Sequence, residues 1–310
     1  MINSNKRIVI CICTILLLMF SLSSCSKKAE FAVTPCFYKV SDDNSSVYIL
    51  GSFHIGKMSI YPLPQEIMSA YNNCETVMFE VDFNTVPAEN YDISREDTEA
   101  LIGKETAEQA VAAIKAEYPN MERRAKKAYP AINMENINQA GYHTLQGLLS
   151  LAASTKAGLI AECGIDQAFI SYARRDHKNI IGAETWEEQY SLTYDLPADA
   201  HKAIMNEYIA VEEMEKRLND EFEMWCKGDA NGIDKIEVSP LRQADKNSWQ
   251  HVQYENLLTR NKHMQDKVIQ QLEKDETTFV LFGAAHIVGE DGVVRQLQEM
   301  NYTVEPVHFN

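Results

Sequence analysis

Apolar positions along this chain fall into short unbroken runs towards its two ends and into three- and four-residue spacings between them. An unbroken apolar run bounded by glycine reads as a buried strand, and a three-four spacing reads as a helix with one buried face. Runs at 36–40 and 47–51 predict a hairpin around the polar residues 41–44, whose Asp, Asn and Ser side chains favour a turn. A helix over 64–73 follows, with Pro64 suited to its first turn, and then a strand over 76–82. Residues 86–161 read as mostly helical, with Pro119, Pro130 and Gly141 as breaks. Beyond them come a helix over 164–175 and a short strand over 179–183. Thr185 and Glu188 have the spacing of a capping box opening the next helix. Two or three helices fill 197–227, and a long one covers 244–273. A strand over 277–282, a helix over 292–300 and a strand over 302–307 close the chain. The order predicts an α/β (α+β) fold: a mixed β-sheet built from two similar halves, helices on both faces, and a helical insertion at about 86–161.

The first residues follow another logic. Lys6 and Arg7 precede the apolar stretch 8–20, and Leu22-Ser23-Ser24-Cys25 comes next. A basic start, an apolar stretch short for a membrane span and small residues at the end make a secretory leader. The last four resemble a bacterial lipobox. They predict a lipoprotein signal peptide over 1–24, lipidation of Cys25, a tether over 25–30 and a single domain over 31–310. The protein is then expected at the cell envelope, anchored to a membrane through Cys25 on its periplasmic or extracellular face. Cys36, Cys74, Cys163 and Cys226 remain, an even number that permits one or two disulfides after export. No Cys-x-x-Cys occurs, which excludes a thiolate zinc site of that kind. The formal net charge of -16 removes the basic footprint that nucleic acid requires. The run Arg123-Arg124-Ala125-Lys126-Lys127 reads as a solvated helix face.

Candidate chemistry begins with a repeated pattern. Two predicted strands each end in a glycine with a histidine three residues on: Gly51-Ser52-Phe53-His54 and Gly283-Ala284-Ala285-His286. Glycine permits close backbone approach at a strand exit, and open α/β sheets bind ligands at the carboxyl ends of their strands. Either histidine alone reads as a core residue; as a pair they favour one shared cleft. Glu80 interrupts an apolar strand, where an ionised carboxylate needs a cation or metal unless the strand is an edge facing water. Arg260 sits inside the apolar stripe Leu257, Met264, Val268 and Leu272, so its guanidinium needs a structural carboxylate or a ligand oxyanion. Glu184 ends its predicted strand, as a ligand or as a helix-start charge. The other histidines, at 143, 177, 201, 251, 263 and 308, read as surface. Two imidazoles with one or two carboxylates suit a divalent first-row metal, which activates water and polarises a carbonyl. There is no His-Glu-x-x-His, Gly-x-Ser-x-Gly, phosphate-cradling loop or dinucleotide fingerprint.

Taken as an ordered set, these motifs resemble the TraB/GumN family, which includes the Tiki metalloproteases of animals. The set is Ile49-Leu50-Gly51-Ser52-Phe53-His54, Met78-Phe79-Glu80-Val81-Asp82, Gly164-Ile165-Asp166-Gln167, Gly182-Ala183-Glu184-Thr185, Thr259-Arg260-Asn261 and Phe282-Gly283-Ala284-Ala285-His286-Ile287-Val288-Gly289. It spans almost the whole mature chain. The resemblance implies a divalent-metal-dependent hydrolase acting on a peptide or protein, with manganese or cobalt rather than zinc. Its catalytic residues would be His54, Glu80, Arg260 and His286, and its metal ligands His54, Glu80, His286 and Glu184. Arg260, Asn261 and Asp166 would meet the substrate, and Gly51 and Gly283 are the motif glycines. Kinship to erythromycin esterases and to a haem-binding lipoprotein leaves two rivals. One is a metal-free hydrolase with a histidine base oriented by Glu80. The other is a non-catalytic lipoprotein that binds peptide or haem.

Overall fold

The computed structural model describes residues 33–42, 45–81, 92–194, 196–274 and 276–310. The leader, Cys25, the tether and Asp82 lie outside the described residues. Among the described residues six strands form one mixed sheet: β1 (Phe37–Ser41), β2 (Ser46–Ser52), β3 (Thr76–Val81), β4 (Asn179–Glu184), β5 (Thr278–Gly283) and β6 (Thr303–Pro306). Their order is β4-β3-β5-β2-β1-β6. β2, β5, β3 and β4 run parallel, while β1 is antiparallel to both β2 and β6. The fold is therefore α/β, with the hairpin β1–β2 as expected. The two strands carrying the repeated pattern are neighbours, with Gly51 opposite Phe282 and Ser52 opposite Gly283.

Helices cover the two faces because the parallel strands are apolar on both. Val77 and Phe279 share a face by register. Against it pack Tyr71 of helix Gln65–Asn72 and Phe169 of helix Ile165–Arg175, whose rings lie 6.0 and 5.0 Å from Phe279. The opposite face, carrying Met78 and Glu80, receives the long helix Trp249–Leu272, whose Met264, Val268 and Leu272 are buried in the same core. A second apolar cluster joins helices Arg95–Ile102, Lys104–Ala128 and Tyr142–Lys156 to Met205 and Val211. Leu218 of helix Val211–Lys227 packs against both clusters and links the insertion to the sheet domain.

Three expectations need correction. Pro119 does not break its helix, which runs unbroken from Lys104 to Ala128. The ring forfeits a backbone hydrogen bond, but Ile114, Tyr118, Met121 and Ala125 stay buried on either side, and packing outweighs propensity. The long helix begins at Trp249 rather than 244. The residues before it form short turns, Ala230–Ile233, the wide turn Asp234–Val238 and Ser239–Arg242, too brief to show a period. His201 is buried with its ring 5.0 Å from Tyr142, not at the surface. Cys36, Cys74, Cys163 and Cys226 are all buried free thiols, so the permitted disulfides are not formed. Among the described residues no helix is long and apolar enough to cross a membrane.

Candidate functional site

The carboxyl ends of the four parallel strands bring the candidates together. Glu80 comes from β3, Glu184 from the last position of β4, and His54 and His286 from the exits of β2 and β5. Arg260 reaches them from the long helix. Its Nη2 donates to Glu80 Oε2 at 2.7 Å, and its Nε donates to Glu184 Oε2 at 2.9 Å. The side chains of Arg260, Glu80 and Glu184 are only 14, 10 and 0% exposed. One guanidinium thus neutralises two buried carboxylates, which is what permits acids at the ends of apolar strands.

Glu80 is held further. Its Oε1 accepts the Gly283 amide at 2.6 Å, and Oε2 also accepts from Gln189 Nε2 at 3.2 Å. Burial opposes its ionisation, but His286, Arg260, His54 and the Gly283 amide outweigh that and hold the carboxyl down at about 2. Glu184 goes the other way: burial pushes it up despite Arg260. Gly283 explains the second motif's glycine. A Cβ there would lie 2.9 Å from Glu80 Oε1, 3.6 Å from His286 Cδ2 and 3.9 Å from His54 Nε2, filling the space on which the three groups converge. Gly51 serves packing instead, since its Cβ would meet Ile287 Cδ1 at 3.0 Å, squeezing the two motifs apart.

Each imidazole is anchored from behind. His54 Nδ1 donates to Asp166 Oδ2 at 2.8 Å, on the first turn of the helix whose Ile165 amide donates to the Phe53 carbonyl. His286 Nδ1 lies 2.7 Å from Asn261 Oδ1. The Asn261 amide nitrogen donates to the Asp291 carbonyl at 2.8 Å, which fixes its oxygen towards the ring. His286 Nδ1 therefore carries hydrogen, and its Nε2 is left as the acceptor. Neither Nε2 has a partner among the described residues. Asp166 and Asn261, expected at the substrate, are instead spent on orienting the two histidines.

The two rings sit in opposite environments. Asp166 pushes His54 up to about 9, a pull damped by water because the side chain is 67% open to the cleft. Burial pushes His286 down to about 4. At neutral pH the first is an imidazolium and the second a neutral ring. Both line a cavity of about 650 Å³ together with Glu80, Arg260 and Gly283.

For a divalent ion the donors do not fit in this arrangement. Glu80 and Glu184, expected as ligands, are turned to Arg260. Among the described residues no group of three or more His, Cys, Asp or Glu side chains is disposed to hold a metal. Arg260, which lines the cavity, retains Nη1 without a partner among the described residues.

The sequence reading passed over Gln189 and Ser52. Gln189 follows the capping-box Glu188, and no local pattern marks it. Ser52 stands inside the first motif and is 2% exposed, yet its hydroxyl has no hydrogen-bond partner among the described residues. A buried hydroxyl left unpaired costs about 1–3 kcal/mol. Ser52→Ala is therefore expected to leave the melting temperature unchanged or higher in thermal denaturation; a clear drop would mean that the hydroxyl is bonded in the folded protein.

A sequence model described as the TraB/PrgY/gumN family matches residues 36–306. The chain is also similar to "Uncharacterized protein YbaP" of Escherichia coli (strain K12). The two are 23% identical over 258 residues, covering 82% of this chain and 89% of that protein. A protein of the same description from Shigella flexneri is similar to the same extent, 23% over 258 residues with equal coverage. No solved structure matches the chain.

Proposed function

The chain belongs to the TraB/PrgY/gumN family, and from that premise we propose that its strand-edge site is a hydrolase centre for peptide bonds in which the two histidines carry the proton transfers. The observation that carries this reading is the convergence of two oppositely tuned imidazoles beside Glu80, each with Nδ1 anchored and Nε2 unpartnered among the described residues. Groups whose environments drive their pKa values apart supply an acid and a base in one site. His286 Nε2 takes a proton from water as the water oxygen bonds to the scissile carbonyl carbon. Arg260 Nη1 steadies the oxyanion that forms. His54 gives its proton to the leaving nitrogen as the carbon–nitrogen bond breaks. The proton gained by His286 equals the one lost by His54, so exchange with solvent resets the pair. Glu80, held low and saturated with donors, is a fixed charge that keeps Arg260 and the Gly283 turn in place; the base in this scheme is His286.

A divalent metal ion is the second reading. It is favoured by the anchoring of both Nδ1 atoms, which is how ligating histidines are held from behind. The ion would supply an activated water, and His54 and His286 are the residues whose Nε2 atoms could hold it, because Glu80 is taken up by Arg260, Gln189 and Gly283. The leader pattern over 1–24 and Cys25 supports a lipid-anchored protein of the cell envelope, with this domain on the periplasmic or extracellular side.

The test is hydrolysis of a mixed peptide library by purified protein, before and after chelator treatment, followed by mass spectrometry. Cleavage retained after chelation is the expected result. Activity lost with chelator and restored by manganese or cobalt would transfer the reading to the metal version. No cleavage under either condition would end the hydrolase proposal in favour of a binding protein.

A further inference from the structure

Gly289 closes the segment that carries Gly283 and His286, and no step above uses it. Its φ is +78°, a conformation that residues with a Cβ rarely adopt. A Cβ there would collide with Asp234 Oδ1 and lie 3.5 Å from Arg242 Nη2. The bare backbone at Gly289 thus admits a clamp from the turns at 230–242. Arg242, the last residue of Ser239–Arg242, donates through Nη2 to Asp234 Oδ1 at 2.7 Å and through Nε to Asp291 Oδ2 at 2.7 Å. The side chains of Arg242, Asp234 and Asp291 are 19, 20 and 21% exposed, so water screens this bridge less than a surface pair. Glu290 also lies 3.0 Å from Arg242 Nε but is largely open to solvent.

What the clamp grips bears on His286. The carbonyl of Asp291 accepts from Asn261 Nδ2 at 2.8 Å and from Gln296 Nε2 at 2.9 Å. Asn261 is buried and turns its Oδ1 to His286 Nδ1 at 2.7 Å. The two ends of an asparagine amide have nearly the same shape, so hydrogen bonds decide which end faces the ring. With the oxygen there, the neutral ring carries its hydrogen on Nδ1. With the amide nitrogen there, Nδ1 must accept and the hydrogen moves to Nε2. The direction of the Asp291 carbonyl therefore selects the tautomer. Residues 288–292 lie between helices Ala284–Ile287 and Val293–Glu299, outside any strand ladder, so side-chain bonds must fix that direction.

We propose that Arg242 is a positioning residue for His286: through Asp291 and Asn261 it keeps hydrogen on Nδ1 and leaves Nε2 free to accept. The proposal rests on the hydrolase reading for what Nε2 then does as a base, whereas the tautomer itself does not depend on it. Arg242 acts two side chains away from the ring. A guanidinium suits the task because its planar fork bonds Asp234 and Asp291 at once, fixing the loop against the turns. A lysine ammonium is a point charge on a flexible stem and fixes one of them less firmly.

The test is nuclear magnetic resonance of full-length protein carrying nitrogen-15 in its histidine rings, at neutral pH, with the His286 signals assigned by their loss in His286→Gln. The parent is expected to show His286 as the Nδ1–H tautomer. In Arg242→Met the Nε2–H tautomer is expected to become a major form, and Arg242→Lys should fall between the two. Where Arg242→Met does not fold, Asp291→Asn serves: it keeps the shape, weakens the grip of Arg242 and should move the same nitrogens the same way by less. Peptide cleavage is scored separately. Arg242→Met should lower kcat about 10–100-fold, the scale of a misplaced catalytic group, with KM within about 2-fold. Unchanged His286 nitrogens in the folded variant would overturn the proposal, whatever happens to the melting temperature, because the clamp would then serve stability alone. No cleavage by the parent ends the hydrolase reading and leaves the nitrogen signals to decide the clamp. A changed tautomer with an unchanged rate keeps the clamp and removes His286 as the base.

Discussion

Replacing Arg260 with methionine is expected to cost about 3–5 kcal/mol of stability, because it leaves two carboxylates buried without a cation. Methionine keeps much of the packing of the arginine stem, so the loss reports the charge rather than a void. For a chain of this size the melting temperature should fall by roughly 10 °C. The pH dependence of that loss has a definite sign. Without Arg260, burial carries the folded-state pKa of Glu184 further above the unfolded value near about 4.3 and lifts that of Glu80 from its depressed value. Each then binds its proton more tightly than in the folded parent, so the penalty is present above the raised values and shrinks as the pH falls through them. The gap between variant and parent should therefore narrow as the pH is lowered towards about 4. Paired thermal melts at several pH values check this. A variant as stable as the parent at neutral pH would mean that Arg260 does not hold the two acids together in solution.

The largest effect on turnover is expected at His286. Removing a general base typically costs 10²–10⁴-fold, and His286→Ala should lower the rate of peptide hydrolysis by roughly that factor while leaving the fold intact. His54→Ala should also slow turnover, but it should change the pH profile in a different place. The base must be neutral, so the rate of the unsubstituted protein rises with pH through the His286 value of about 4. The acid must be charged, so the rate falls as pH passes the His54 value of about 9. The profile is a bell whose basic limb belongs to His54, and His54→Ala should remove that limb. Asp166→Asn weakens the pull that raises His54 and should shift the limb towards neutral pH with a smaller loss of rate. Rates measured across the pH range for the four proteins decide this. A basic limb unmoved by either substitution would remove His54 from the proton-transfer role.

Much of this molecule is written locally. The apolar runs ending in Gly51 and Gly283, the strand around Glu80, the capping box at Thr185 and Glu188 and the apolar stripe of the long helix each follow from side-chain alternation or from a single turn. That is why the strands, most helices and the α/β class could be read without coordinates, and why His54, Glu80, Glu184, Arg260 and His286 could be singled out as misfits in their own segments. Pro119 and the turns between residues 230 and 242 escaped because packing against distant helices outweighs local propensity, and because a single turn has no period to detect.

What those misfits do to one another was decided only by tertiary structure. Asp166 and Asn261 stand 112 and 25 residues from the histidines they orient. Gln189 and the Gly283 amide come to Glu80 from other elements, and Arg260 is drawn between two acids that the sequence assigned to a metal. The opposite tuning of two identical rings and the four unpaired thiols have the same origin. Chain order determines which residues are present and which segments fold. Burial and separation in space set the energy of a charge or a proton there, and neither quantity exists until the segments are packed.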